Sequence, residues 1–362
     1  MELNIPPEQS PVIPLEQFGW DEFFEGHFKP FRKKGFEPGR VVIQHPGLYT
    51  LYTRQGELLG RLAGSLRHRL KEPADFPAVG DWVVVRPAGK DEQAVIHDLL
   101  PRKTKFSRKM AGDTTREQVA ASNMDVVFIV TSMNKEFSAR RVERYLVLTR
   151  ESGARPVVVL SKADLCPDTA PYVAAIREVA PDVDIHTVSS VDDRGIDDLR
   201  SYFANHSTVA LLGSSGVGKS TLINAVLGYD RQAVQEVREV SDRGRHTTTH
   251  RELIPMKDGG IIMDTPGMSE IQLWEVASGV KDAFEDVQQL SEACKFRNCK
   301  HFSEPGCAVR AGVEEGKITR DRYANYKKMQ EEHEQLIQKQ AERKWDGKQR
   351  PQPRSIRKKP KG

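Results

Sequence analysis

The chain predicts a multidomain protein: a small β-barrel, a mostly parallel α/β unit, and a helical module built round a cluster of metal-ligating side chains. Three observations carry that prediction. Short β-type segments punctuated by Gly and Pro fill residues 41–100, and near-continuous Val/Ile/Leu strands alternate with helices from residue 125. Cys294, Cys299, His301 and Cys307 then crowd into an otherwise helical stretch. A length of 362 residues accommodates two or three folded units, and 38% hydrophobic content excludes a wholly disordered chain. The longest apolar runs, such as Val126–Val130, fall far short of the roughly 20 residues that a bilayer demands. Residues 1–20 mix acids with prolines and lack a basic start followed by an apolar stretch, so neither a secretory signal nor membrane association is expected.

Residues 1–35 carry prolines and scattered aromatics without clear periodicity and are expected to form an extension. A domain over 36–104 follows, with strands at Val41–His45, Leu48–Arg54, Leu58–Leu62, Trp82–Arg86 and Gln93–Leu100. Five short strands separated by Gly47, Gly56, Pro77 and Gly80 suit the five-stranded oligonucleotide-binding (OB) barrel. Arg54, Arg61, Arg67, Arg69 and Lys71, with Tyr49 and Tyr52, offer a basic and stacking face for RNA. A solvated surface on a purely structural barrel is the equal alternative.

The α/β domain is expected over 105–275. Its strands are Asp125–Thr131, Pro156–Leu160, Val183–Val188, Thr208–Leu212 and Gly260–Met263. Helices fall near Ala139–Ser152, Pro171–Val179 and Ile196–Ala204, and another begins near Lys219. Residues 276–342 read as helical. Val280, Ala283, Phe284, Val287 and Leu290, then Ile318, Tyr326, Met329, Leu336 and Ile337, recur at helical spacing and are expected to be core. A basic tail, 343–362, closes the chain. Residues 341–362 hold nine Lys/Arg against Glu342 and Asp346, so the formal +4 divides into +7 there and −3 over residues 1–340. Such a tail suits RNA phosphates, with mere solubilisation as the alternative.

Strand Thr208–Leu212 runs directly into Gly213, Ser214, Ser215, Gly216, Val217, Gly218, Lys219, Ser220 and Thr221. This matches G-x-x-x-x-G-K-[ST], a strand–loop–helix cradle for phosphates. Glycines let successive backbone N–H groups turn inward, and the helix start adds its positive dipole end. Lys219 is placed to reach the β- and γ-phosphates, and the Ser220 hydroxyl to coordinate Mg²⁺. Farther on, Asp264-Thr265-Pro266-Gly267 reads as D-x-x-G: Asp264 for the Mg²⁺ shell, the Gly267 N–H for the γ-phosphate. Between them Gly244-Arg245-His246-Thr247-Thr248-Thr249 suits a mobile loop delivering the Thr248 hydroxyl to Mg²⁺.

Base choice rests on Ser161, Lys162, Ala163 and Asp164 at a strand end. The Asp164 carboxylate accepts from both N1–H and N2–H₂ of guanine, a donor pair that adenine lacks, and the Lys162 stem packs along the base. The usual form is N-K-x-D; Ser161 in place of Asn calls the side-chain brace into question while the base-reading Asp remains. Ser189 and Ser190, after the next strand, offer backbone N–H groups to guanine O6. A P-loop ATPase is the competing reading, in which ATP competes equally with GTP.

In ordinary GTPases the phosphate loop precedes the base-reading segments, whereas here 161–164 and 189–191 come first. Cutting and rejoining the domain gives that order. With a barrel before it and a Cys/His cluster after it, the chain resembles the YjeQ/YloQ family of circularly permuted GTPases over roughly residues 36–340. Gly-Arg-His-Thr-Thr-Thr and the cysteine spacing are the most specific parts of the likeness. The resemblance implies a cytoplasmic GTP hydrolase in late maturation of the small (30S) ribosomal subunit, binding the subunit and its 16S rRNA in a nucleotide-dependent way, with hydrolysis stimulated by that subunit. A monomer is expected. The alternative from another class is an RNA-binding assembly scaffold in which GTP only tunes affinity.

Many GTPases carry a Gln just after D-x-x-G to orient water; here that position is Met268, which does neither job. His246 is the nearest candidate, and the resemblance points to the same residue; a surface histidine is the plainer alternative. Cys294-x₄-Cys299-x-His301-x₅-Cys307 offers three thiolates and an imidazole, a closed set typical of one structural Zn²⁺. Cys166 stands apart. GTP or GDP, Mg²⁺ and Zn²⁺ are thus the expected ligands.

Overall fold

A computed structural model describes residues 14–86, 93–110, 113–135, 137–229, 252–257, 259–264, 284–331, 334 and 338. Among these, eleven strands form one continuous sheet in the order β10-β9-β8-β11-β13-β12-β1-β2-β3-β5-β4.

One end of that sheet curls into a barrel. Its strands are β1 (Glu37–His45), β2 (Leu48–Thr53), β3 (Gly56–Leu62), β4 (Trp82–Arg86) and β5 (Ala94–Leu99). The ring closes because β1 also pairs with β4, while β3 and β5 run parallel. Helix α2 (Gly64–Arg69) bridges β3 to β4. Val41, Leu51, Val83, Val85, Ala94 and Ile96 fill the interior, alternate residues of each strand pointing inward.

The N-terminal segment departs from the expected extension. Leu15–Phe18 forms a 3₁₀ turn, and Glu22–Arg32 forms helix α1, capped by the Asp21 carboxylate, which accepts from the Phe23 and Phe24 N–H groups at 3.1 and 3.3 Å. Phe24 and Phe28, one turn apart, are buried with Trp20, which meets Trp82 edge-on at 4.8 Å. Gly26 and Pro30 inside the helix mask this short stripe in the sequence. Arg40, fully buried on β1, joins the parts: its guanidinium donates to the carbonyls of Phe18, Gly80 (3.3 Å) and Asn123 (3.0 Å) and to Thr208 Oγ1 (3.1 Å).

A hairpin unmarked in the sequence links barrel to α/β unit: β6 (Lys105–Met110) and β7 (Asp113–Ser122) pair as a separate two-stranded sheet. Charged and polar residues crowd both strands, so no apolar alternation announces them. Asp81 anchors the hairpin to the barrel, accepting from Ser122 Oγ at 2.6 Å and from Arg102 at 2.6 and 2.8 Å.

The α/β unit closely follows its expected elements. Strands β8 (Val126–Ser132), β9 (Arg155–Ser161), β10 (Asp184–Thr187) and β11 (Thr208–Leu212) are parallel, as is β13 (Ile261–Asp264). Antiparallel β12 (Glu252–Pro255) lies between β13 and β1. Helices α3 (Ala139–Ser152), α4 (Ala170–Val179), α5 (Ile196–Arg200) and α6 (Lys219–Leu227) accompany the sheet. Ser138 caps α3 by accepting from Arg141 N, and Gly153 ends it at φ 82°.

The C-terminal module has α7 (Glu285–Ser291), α8 (Ala308–Glu314) and a helical stretch over 320–331. Phe284, Val287, Ile318, Tyr326 and Met329 are buried as the stripes require, in one cluster with Leu146 and Val142 of α3. Val280, Ala283, Leu336, Ile337 and the basic tail lie outside the described residues.

Candidate functional site

The phosphate loop leaves the carboxyl end of β11 and enters α6. Gly213 sits so close to β8 that a Cβ there would lie 2.3 Å from the Val130 carbonyl oxygen. Gly216 and Gly218 take φ of 78° and 97°, the left-handed region that other residues reach only with strain. Lys219 Nζ folds back onto the loop, donating to the carbonyls of Gly213 (2.7 Å) and Ser214 (2.8 Å). Burial pulls this lysine below its ordinary range, and Asp264 at the end of β13 opposes the shift. Ser220 and Thr221 occupy the first turn of α6. Because Ala210 pairs with Met263, Asp264 follows one residue behind on the neighbouring strand, at the loop's flank.

Two further segments gather at this loop. Ser161, buried at the end of β9, donates from Oγ to the Val217 carbonyl at 2.7 Å and, more weakly, to the Thr131 carbonyl at 3.3 Å. The brace questioned on replacing Asn by Ser is therefore present, since β9 ends near enough for a hydroxyl to span the gap. Lys162, left-handed at φ 63°, donates from Nζ to the Gly216 carbonyl at 2.9 Å. The Ala163 N–H donates to the Val188 carbonyl at 3.0 Å, clamping the 161–164 turn to the segment that holds Ser189 and Ser190. Ser189 is fully buried and accepts from the Val191 and Asp192 N–H groups at 3.2 and 3.4 Å. Asp164 is exposed, and Leu165 and Val191 are 72% and 80% exposed. Chain positions 161–164 thus adjoin both 188–191 and 213–219. His246, Thr247, Thr248, Thr249, Thr265, Pro266, Gly267 and Met268 lie outside the described residues.

The four metal-ligand candidates converge in the C-terminal module, their ligand atoms all within 4.8 Å of one another. His301 Nδ1 stands 3.6 Å from Cys294 Sγ and 3.5 Å from Cys307 Sγ. Tetrahedral zinc, with bonds of about 2.3 Å to sulfur and about 2.0 Å to nitrogen, sets sulfur and nitrogen roughly 3.5 Å apart, so these donors fit that ion. His301 holds a left-handed φ of 61°, and its carbonyl accepts from the Tyr323 hydroxyl.

Two features depart from expectation or were not foreseen. The proposed stacking face on the barrel is not available: Tyr49 and Tyr52 are buried, Tyr52 stacked on Phe18 at 4.1 Å. Alternation along β2 sends one tyrosine into the barrel and the other beneath the N-terminal segment. Arg69 of that face is paired with Asp98 at 2.6 Å, and Arg54 lies 4.0 Å from Glu16. The other feature is α3. Its Glu143, buried among core residues, accepts from Arg322 and Asn325 of the C-terminal module, and Arg322 also grips Asp286 at 2.6 and 2.7 Å. An acid at a core position of an amphipathic helix was the sequence signal for it.

A family model described as RsgA GTPase matches residues 99–274. The chain is 44% identical over 327 residues to the small ribosomal subunit biogenesis GTPase RsgA of Opitutus terrae, covering 88% of this chain and 89% of that one. It is 42% identical to RsgA 2 of Lactiplantibacillus plantarum, over 86% of this chain and 89% of the other. Among solved structures, YjeQ from Thermotoga maritima matches with a TM-score of 0.61 at 28% identity, covering 83% of this chain and 99% of YjeQ. YloQ, a circularly permuted GTPase, matches with a TM-score of 0.58 at 25% identity, over 83% and 96% of the two chains.

Proposed function

The chain belongs to the RsgA family of GTPases, and from that premise we propose that it hydrolyses GTP in the maturation of the small (30S) ribosomal subunit. The observation that carries the reading is the pair of contacts by which Ser161 and Lys162 hold the 161–164 turn against the phosphate loop. A nucleotide spanning 164 and 219 fits a guanine reader at one end and a phosphate cradle at the other.

In this reading the Asp164 carboxylate accepts from guanine N1–H and N2–H₂, and the Ser189–Ser190 backbone faces O6. Phosphate oxygens take over from the Gly213 and Ser214 carbonyls as acceptors for Lys219 Nζ. Ser220, Thr248 and Asp264 supply a hard oxygen set that suits Mg²⁺, whose chemistry when bound is to neutralise developing phosphate charge. His246 orients the attacking water in place of the missing Gln. The Cys₃His set holds a structural Zn²⁺, closed to substrate. The barrel and the basic tail meet 16S rRNA, and the protein acts as a cytoplasmic monomer. Domain boundaries near 36, 105, 276 and 343 follow the same division of labour.

With no Gln after D-x-x-G, intrinsic turnover is slow and the ribosomal partner completes the site. The test is GTP turnover titrated with isolated small subunits, run on the native chain and on His246→Ala. A rise with added subunits that His246→Ala abolishes, at unchanged GDP affinity, supports the reading. Nucleotide-sensitive subunit binding without turnover supports the scaffold instead.

A further inference from the structure

The first turn of α3 is built against its own helix. A helix N-terminus carries partial positive charge and favours acids, with a like charge there unfavourable by some tenths of a kcal/mol. Yet α3 has no acid in that turn and places Arg140 and Arg141 in it. Each arginine reaches away from the helix. Arg140 pairs with Asp321 of the C-terminal module. Arg141 crosses to the phosphate loop, where Nη1 donates to Ser214 Oγ at 2.9 Å.

Ser214 is the residue whose carbonyl already accepts from Lys219 Nζ at 2.8 Å. Two cations therefore converge on one loop residue from opposite groups, the guanidinium on its hydroxyl and the ammonium on its carbonyl. Lys219 belongs to the loop motif. Arg141 lies 73 positions earlier and outside any motif, and its guanidinium presents a planar fork that suits phosphate oxygens. Local rules broken at a helix start, with a phosphate loop at the other end of the side chain, mark a functional placement.

We propose that Arg141 is a phosphate-binding residue of the nucleotide site, supplying a fixed positive charge to the polyphosphate from α3, with Ser214 holding the guanidinium in place. The inference rests on the loop being the GTP site. Its field acts on phosphate charge and not on the base or ribose, so its contribution grows with the number of phosphates. A structural role in shaping the loop or the helix weakens every guanine nucleotide alike.

The experiment is competition by GMP, GDP and GTP for a fluorescent GDP analogue, on the zinc-loaded full chain, with Arg141→Ala and Arg141→Lys. For Arg141→Ala we expect GTP to weaken about tenfold, GDP by less, and GMP least of the three. Arg141→Lys, which keeps the charge, retains most of the native GTP-to-GMP ratio. Equal losses for the three nucleotides, no loss for any, or a lysine variant no better than alanine each overturn the proposal. Failure of the native chain to bind GTP overturns the nucleotide-site reading itself, so the two failures are distinguishable.

Discussion

The contact between α3 and the C-terminal module is a buried ion pair whose disruption has an asymmetric outcome. Glu143 is 1% exposed and Arg322 10%, while Asp286, the second carboxylate on Arg322, is 41% exposed. Replacing Arg322 by Met strands the Glu143 carboxylate in the interior with Asn325 alone. Breaking such a pair from one side costs about 3–5 kcal/mol, and packing by the Met stem brings the expectation to about 3. Glu143→Gln costs less, about 1–2 kcal/mol, because Asp286 still neutralises Arg322; that screened rim pair is itself worth under about 1 kcal/mol. The double variant, with no charge stranded, destabilises by less than the two singles added. Calorimetry and urea unfolding of the zinc-loaded chain read this directly. A loss of about 3 kcal/mol lowers the module's transition by about 12–24 °C. Arg322→Met within about 1 kcal/mol of native, or a double variant worse than the sum, refutes the reasoning. Burial also raises the Glu143 carboxyl above its ordinary range, with Arg322 and Asn325 opposing. Its contribution is therefore fully present below the unfolded value near about 4.3 and is lost as pH rises through the raised folded value. Glu143→Gln flattens that part of the stability profile.

Ser161→Ala removes the hydroxyl from the Val217 carbonyl and loosens the phosphate loop, weakening GDP about fivefold, the equivalent of about 1 kcal/mol, in a fluorescence titration. Because burial depresses Lys219, nucleotide affinity is full below its depressed value and falls as pH rises through it, earlier than an ordinary lysine near about 10.4 dictates; titrations from neutral to alkaline pH check this. Chelating the metal melts the module holding Cys294, Cys299, His301 and Cys307, seen as lost helix by circular dichroism, while GDP still binds. Asp164→Asn turns an acceptor oxygen into a donor and weakens guanine nucleotides about a hundredfold with little effect on ATP, measured by competition.

Much of this architecture is legible in the sequence, and the exceptions share a cause. Strands β8, β9 and β11 are short, mostly Val/Ile/Leu segments buried along most of their length, so their ends agree with expectation within a residue or so. The cysteine spacing announces the metal cluster because the ligands are close along the chain. What escapes are contacts whose sense depends on a distant partner. Helix α1 shows a short aromatic stripe interrupted by Gly26 and Pro30, decisive only beside Trp82. Tyr49 and Tyr52 look like stacking residues until alternation and Phe18 cover them. Hairpin β6–β7 carries its apolar residues without a clean alternation (Phe106, then Val119–Ala121) and is held through Asp81, far away in sequence. The Ser161 brace required knowing how near β9 ends to Val217.

Antiparallel β12 has unequal attachments on its two flanks. Toward β13 it makes four paired positions, from Glu252↔Asp264 to Pro255↔Ile261; toward the barrel there is one, Ile43↔Glu252. Glu252 is thus a rivet shared by the strand bearing Asp264 and the barrel wall, immediately downstream in the chain from His246 and Thr248. With one backbone rung at that seam, the barrel is tied to the α/β unit by side chains instead, Arg40 reaching the Asn123 carbonyl and Thr208 Oγ1 and Asp81 holding Ser122.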